Sequence, residues 1–343
     1  MKALVLEDYK KFQLSDVPEP NLAPDEVLIR VHSCGICGSD VHGFDGSSGR
    51  RIPPIIMGHE ASGTIAKTGS DVKKLAEGDR VTFDSMISCS RCAFCRGGKP
   101  NLCEDRMVFG VSCGDYRRHG AFAEYVNVPE RIVFPVPDAL SFDEAAMVEP
   151  VSVAVHAVNI TPVQLGDTAL VVGAGMIGLL TVQALRAAGC GKIISSDIAD
   201  DRLEAAKQMG ADVTLNAASA NVVETVREIT GGLGADLSVE AVGADPTVET
   251  AIEAVRKGGS VTLIGNVTPK VSFGLQSVVT REITVYGSCA SANDYPACLE
   301  LMGRGAIKTR ELISASVPLE EGASMFDRLY NRESGLTKVI LNP

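Results

Sequence analysis

The chain has 343 residues, 45% of them hydrophobic and 22% charged, and its 43 acidic and 32 basic side chains give a net charge of −11. That length predicts about two domains, with enough apolar residues for a sizeable core. The acidic surplus argues against nucleic acid as a partner, because gripping a phosphate backbone needs a basic face. Charge enters at Lys2, Glu7 and Asp8, too soon for a secretory leader, and no apolar run approaches the ~20 residues that cross a bilayer. A cytoplasmic protein with no membrane partner and reduced thiols is expected.

The first half predicts short strands and turns. Segments 26–31, 63–66 and 80–83 are strand-like, with Gly-Ser-Asp and Glu-Gly-Asp turns between the last two. A mostly β domain is expected up to residue 147. Within it lie Cys34-Gly35-Ile36-Cys37-Gly38-Ser39-Asp40-Val41-His42 and Gly58-His59-Glu60. Cys34 and Cys37 form a C-x2-C pair that has a redox reading, but the strand-rich context does not match the thioredoxin pattern. Taken singly, Cys37, His59, Glu60 and the later Glu149 each specify little. A histidine beside glycine is as often structural as functional.

Cys89, Cys92, Cys95 and Cys103 follow, spaced C-x2-C-x2-C-x7-C. Four soft ligands this close suit a tetrahedral zinc, and the polar, turn-rich loop among them can wrap one ion. The alternative is a set of free or disulfide-paired thiols. Four protein ligands would close the coordination sphere, so this zinc would hold a loop and perform no chemistry. Beyond it, Arg117-Arg118-His119 is a basic run that could face a phosphate or acid group, or be a solvated loop.

The pattern changes at Glu149. Pro150 suits the first turn of a helix through His156. From residue 168 strands alternate with helices: strands at 168–173, 192–197, 212–215, 235–241, 260–264 and 283–286, and helices at 202–209 and 247–257 among them. Such alternation predicts an α/β, doubly wound parallel sheet over 148–287, with the tail 288–343 packing back on the first domain. The stretch Gly173-Ala174-Gly175-Met176-Ile177-Gly178 follows an apolar strand and opens a helix. Its glycines allow the tight turn, the approach of a pyrophosphate and close helix–strand packing. Met176 and Ile177 lie between the last two glycines. Asp197 ends the next strand, where a carboxylate accepts from the adenosine ribose and repels a 2′-phosphate; NAD is expected over NADP, with Arg202 also at this site. The bland readings are a glycine turn without a ligand and, for Asp197, a helix cap, a role Asp200 fits as well.

Over essentially its whole length the sequence resembles a zinc-dependent member of the medium-chain dehydrogenase/reductase superfamily. Gly58-His59-Glu60-Ala61-Ser62-Gly63 with Gly69 and Val72, then Gly78-Asp79-Arg80-Val81, the four-cysteine lobe and the glycine motif occur in that family's order. The Cys34–His42 segment and Glu149-Pro150-Val151-Ser152-Val153 resemble the polyol branch, with sorbitol, threonine and galactitol-phosphate dehydrogenases. The resemblance implies a GroES-like catalytic domain (1–147 and 288–343), a Rossmann NAD domain (148–287) and two zinc ions per chain. Cys37, His59 and Glu60 would surround a catalytic zinc, with Glu149 a further ligand or water-mediated contact; which carboxylate binds directly stays open. Asp40 would orient His59. Ser39 would take the proton of a secondary alcohol and pass it by way of the nicotinamide ribose to His42, a residue type that titrates near neutrality. Sorbitol dehydrogenases carry an arginine and an aromatic where this chain has Ala290 and Gly43. A small-molecule alcohol is the expected substrate and a homo-oligomer, dimer or tetramer, the expected assembly. A threonine or 2,3-butanediol dehydrogenase, a zinc-free quinone reductase and a non-catalytic nucleotide-binding protein are the alternatives.

Overall fold

The computed structural model describes residues 1–113 and 116–343. The chain divides into two units: 1–149 with 295–304 and 309–343, and 150–294 with 305–308.

The first unit is organised by the strand Glu26–Gly35, whose Val27, Leu28, Ile29 and Val31 are buried. Strand Glu60–Thr68 pairs antiparallel with it, setting Glu60 opposite Gly35. Gly63 permits this approach: a Cβ there would lie 2.0 Å from the Arg30 carbonyl oxygen. On its other side Glu26–Gly35 meets strand Lys338–Asn342, with Ile340 opposite Gly35, and that strand runs parallel to Ile313–Pro318. Arg80–Phe83 and Val133–Pro135 extend the sheet beyond Glu60–Thr68. The register therefore gathers residues 35–37, 59–60 and 338 at one place. A core of Phe44, Met57, Phe122, Phe326 and Leu341 packs around this framework.

The second unit is a six-stranded parallel sheet in the order Val213–Asn216, Lys192–Asp197, Thr168–Val172, Ala235–Glu240, Val255–Leu263, Thr284–Gly287. Chain order reverses at Thr168–Val172, so the ligand crevice of such a sheet lies at the carboxyl ends of Thr168–Val172 and Ala235–Glu240. Helix Met176–Ala188 follows the first of these directly.

One predicted helix ends early. Residues 255–257 are not helical: the helix is Asp245–Ala254, and Val255 turns to extended backbone (φ −80°, ψ 154°) to open a strand. β-Branched Val255 favours the sheet, and Gly258 at φ +69° takes a bend that a helix could not continue. No helix among the described residues is long and apolar enough to cross a membrane.

Candidate metal centres and dinucleotide site

Cys37 is the N-cap of helix Gly38–Phe44. Its sulfur accepts from the Ser39 N–H at 3.5 Å, while the Asp40 carboxylate accepts from the Cys37 N–H at 3.2 Å. His59 follows Gly58, which sits at φ +94° with Phe122 and the Cys34 sulfur so close that a Cβ would lie within 2.9 Å of both. Gly58 thus turns the chain so that His59 and Glu60 face Cys37. One donor atom from each of Cys37, His59 and Glu60 lies within 4.8 Å of the others. Sulfur, nitrogen and oxygen donors in a set of three suit zinc with an open coordination position.

Buried groups brace this trio. Asp40, fully buried, lies 3.4 Å from His59 Nδ1 and accepts from the Arg51 guanidinium at 3.0 and 3.3 Å. Burial opposes its charge, but His59 and Arg51 outweigh that and hold the carboxyl well below its usual range. Burial likewise opposes the His59 imidazolium, and Asp40, then Cys37, reverse the balance and raise it well above its ordinary value. Arg51 also donates to Ser39 Oγ at 3.3 Å. Lys338 donates to both Glu60 oxygens, at 2.9 and 2.6 Å, and to the Ile36 carbonyl at 3.1 Å. Burial pulls the ammonium pKa down, but Glu60 and then Cys37 carry it above its ordinary value.

Glu149 stands in the first turn of helix Val148–Ile160 and accepts from Ser85 Oγ at 3.1 Å. It lies outside the trio within 4.8 Å. Burial pushes its carboxyl up; His59 opposes this and Glu60 adds to it. Ser39 and His42 are exposed and three residues apart, on one face of the Gly38–Phe44 helix.

The four lobe cysteines also converge, with their sulfurs within 4.8 Å of one another. Backbone N–H groups point at the sulfurs: Cys89 to Cys103 at 3.2 Å, Cys92 to Cys89 at 3.3 Å and Cys95 to Cys92 at 3.5 Å. The N–H groups of Cys95 and Glu104 bring the Cys92 thiol down to about 6, whereas burial pushes Cys103 up to about 12. None of the ten cysteines is in a disulfide.

In the second unit Gly173 adopts φ +97°, and Gly178 packs so closely that a Cβ would lie 1.8 Å from the Gly173 oxygen. A Cβ on Gly175 would meet nothing within 4 Å, leaving open space at the N-terminus of the Met176–Ala188 helix, where Met176 and Ile177 are half-buried. Asp197 reaches back to this loop: Oδ2 accepts from Ala174 N–H at 2.8 Å, and Oδ1 from Ile198 and Ala199. The next helix, Asp200–Gln208, has Ala199 as its N-cap without a side-chain bond, so neither Asp197 nor Asp200 is that cap. Arg202 Nη1 lies 3.8 Å from Asp197 Oδ2.

Residues 23–138 match the alcohol dehydrogenase GroES-like domain, and residues 177–304 match the zinc-binding dehydrogenase family. Sorbitol dehydrogenase of Bacillus subtilis (strain 168) is 35% identical, covering 100% of this chain and 97% of that protein. The chain belongs to the zinc-binding alcohol dehydrogenase family. D-Xylulose reductase A of Aspergillus niger is 36% identical to this dehydrogenase, over 95% of this chain and 93% of its own. Among solved structures, a zinc-binding dehydrogenase from Sinorhizobium meliloti 1021 bound to NADP superposes with a TM-score of 0.92, 33% identity and coverage of 100% and 99%. The two units of the dehydrogenase are thus a GroES-like β domain and a Rossmann-type sheet.

Lys338, Arg51 and Ser85 were not foreseen from sequence. Lys338 heads a strand and is followed directly by the apolar Val339-Ile340-Leu341, a weak sign of a cation carried inward. Arg118 of the basic run is occupied by Glu26 at 3.4 Å and the Asn127 carbonyl at 2.6 Å, and lies over the Phe109 ring. Arg117 is exposed and within 3.4 Å of the Ile52 carbonyl.

Proposed function

We propose that this enzyme is an NAD-dependent dehydrogenase that reversibly oxidises a secondary hydroxyl of a polyol, sugar alcohol or sugar-alcohol phosphate to the ketone. The observation that carries this is the convergence of Cys37, His59 and Glu60 beside the Asp40–Ser39 pair. Bound at these sites, zinc would supply Lewis acidity at the hydroxyl oxygen and NAD would supply the hydride acceptor. Asp40 fixes the His59 ring, and Arg51 holds Asp40 and Ser39 in one arrangement. Ser39 takes the hydroxyl proton as it gives up its own, and His42, on the same helix face, is the outlet from which a proton reaches solvent. Lys338 balances Glu60, so that the buried Glu60 and the half-buried Glu149 do not repel each other unopposed.

Two zinc ions per chain are proposed, one on the trio and one in the lobe. NAD rather than NADP follows from Asp197, whose charge opposes a 2′-phosphate. The NADP-bound relative and the neighbouring Arg202 favour the second reading, so relative kcat/KM for the two cofactors decides. Gly43 bears on substrate choice. A Cβ there would lie 2.2 Å from Arg51 Cγ, so the aromatic of the sorbitol type would displace the arginine that holds Asp40. This supports a polyol other than sorbitol. Ten cysteines, none of them in a disulfide, suit a reducing, cytoplasmic setting. The open edge strand Thr284–Gly287, beside helix Leu275–Thr280 with exposed Leu275 and Val279, supports a homo-oligomer.

The test is NAD reduction across polyols, sugar-alcohol phosphates, threonine and 2,3-butanediol, with zinc counted in the same preparation. Turnover with a polyol and about two zinc per chain, falling to about one in Cys37→Ser, is expected. A silent panel with zinc fully loaded would overturn the proposal in favour of a non-catalytic nucleotide-binding protein.

A further inference from the structure

Glu240 ends the strand Ala235–Glu240 at the crevice where strand order reverses, and it is fully buried. A carboxylate withdrawn from water is costly unless its hydrogen bonds repay the loss of solvent. Here Oε1 accepts from the N–H groups of Val242 and Gly243, both at 2.8 Å. The main-chain oxygen of the same residue accepts from Ile264 and Gly265, at 2.9 and 3.1 Å. One residue therefore ties together the loops that leave two neighbouring strands. The loops touch closely: a Cβ on Gly265 would lie 2.2 Å from the Gly243 nitrogen, and Gly243 sits at φ +87°. Val242, held between these bonds, packs on the glycine motif itself, its Cγ2 2.5 Å from where a Gly173 Cβ would be. The second oxygen, Oε2, has no hydrogen-bond partner among the described residues.

The two halves of a dinucleotide lie on opposite sides of the reversal point. Asp197, at the end of Lys192–Asp197, marks the adenosine side, and the N-terminus of Met176–Ala188 takes the pyrophosphate. The remaining half must cross toward Ala235–Glu240 and Val255–Leu263, where the loops held by Glu240 stand.

We infer that Glu240 is a positioning residue for the nicotinamide–ribose half of the cofactor: its carboxylate sets loops 241–243 and 264–265, and Val242 against Gly173, without touching the reacting atoms. The inference rests on the nicotinamide-dependent reading above. It accounts for a buried acid that the proton path and the zinc sites leave unused.

The test compares NADH with ADP, which carries only the adenosine half, on the zinc-loaded full chain. Glu240→Ala removes two hydrogen bonds to a charged acceptor, so NADH affinity is expected to fall by about tenfold or more while ADP affinity stays within about twofold. KM for NAD should rise with KM for the alcohol unchanged. Glu240→Gln keeps an oxygen that accepts both N–H groups and should restore NADH binding to within about threefold of the native protein. Should the alanine variant not fold, Glu240→Asp, which keeps the charge but shortens the reach, should show the same NADH-selective loss. Equal weakening of NADH and ADP would mean general support of the fold and overturn the inference; so would unchanged NADH binding. Failure of the cofactor reading itself would look different, since the native protein would then bind neither ligand.

Discussion

The Lys338–Glu60 pair shows how much one side chain can determine. Both partners are buried, and removing one leaves the other charge uncompensated, which costs ~3–5 kcal/mol. Lys338→Met is expected to lose about that much in urea unfolding, and Lys338→Met with Glu60→Gln to regain most of it. An unchanged midpoint in the single variant would refute this. The sign of the pH dependence follows from the raised lysine pKa. The contribution is fully present below the ordinary value of 10.5 and is lost as pH rises through the higher folded value. Alkaline destabilisation beginning above that point should therefore be weaker in Lys338→Met.

Among the elements, the cysteine lobe gives the clearest prediction. Its Cys92 thiol lies at about 6, so acidification through that value adds a proton competing with a metal to the one that the Cys103 thiol, at about 12, already holds near neutrality. Chelator-detected zinc release should rise steeply between about pH 7 and 5, and Cys92→Ser should lose one zinc while retaining more turnover than Cys37→Ser. Equal loss of turnover in both variants would mean that the lobe does more than hold a loop. Local patterning made many elements legible beforehand. Strands Lys192–Asp197 and Arg80–Phe83 have the bounds their residues imply, because apolar, partly β-branched runs bounded by turn residues have few alternatives. The Gly38–Phe44 helix was not legible: its cap is a cysteine sulfur, in place of the usual Ser, Thr, Asp or Asn. Cys37, His59 and Glu60 were singled out through motif resemblance. Arg51 was invisible and Lys338 nearly so, since little that is local marks a cation that will be buried by partners elsewhere in the chain.

For the whole molecule, the open edge Thr284–Gly287 carries exposed Val285 and lies beside an unburied helix. A charge on an edge strand discourages pairing with another copy. The native protein is expected to run as a dimer or tetramer in light-scattering-coupled chromatography, and Val285→Lys to shift it toward monomer. A native monomer at micromolar concentration would sink the homo-oligomer reading.

The strand Lys338–Asn342 inserts between Glu26–Gly35 and Ile313–Pro318, and its first residue meets Glu60 from 278 positions away. During synthesis, then, Cys37, His59 and Glu60 leave the ribosome long before their counter-cation exists. At ~5–20 residues per second the wait is roughly 15–55 s. Throughout that interval the thiol and imidazole are open to copper or nickel, which such donors hold at least as readily as zinc. Metal added before strand Lys338–Asn342 can pair is thus expected to load less selectively than metal added to the folded chain, which metal analysis of protein refolded with and without zinc would read.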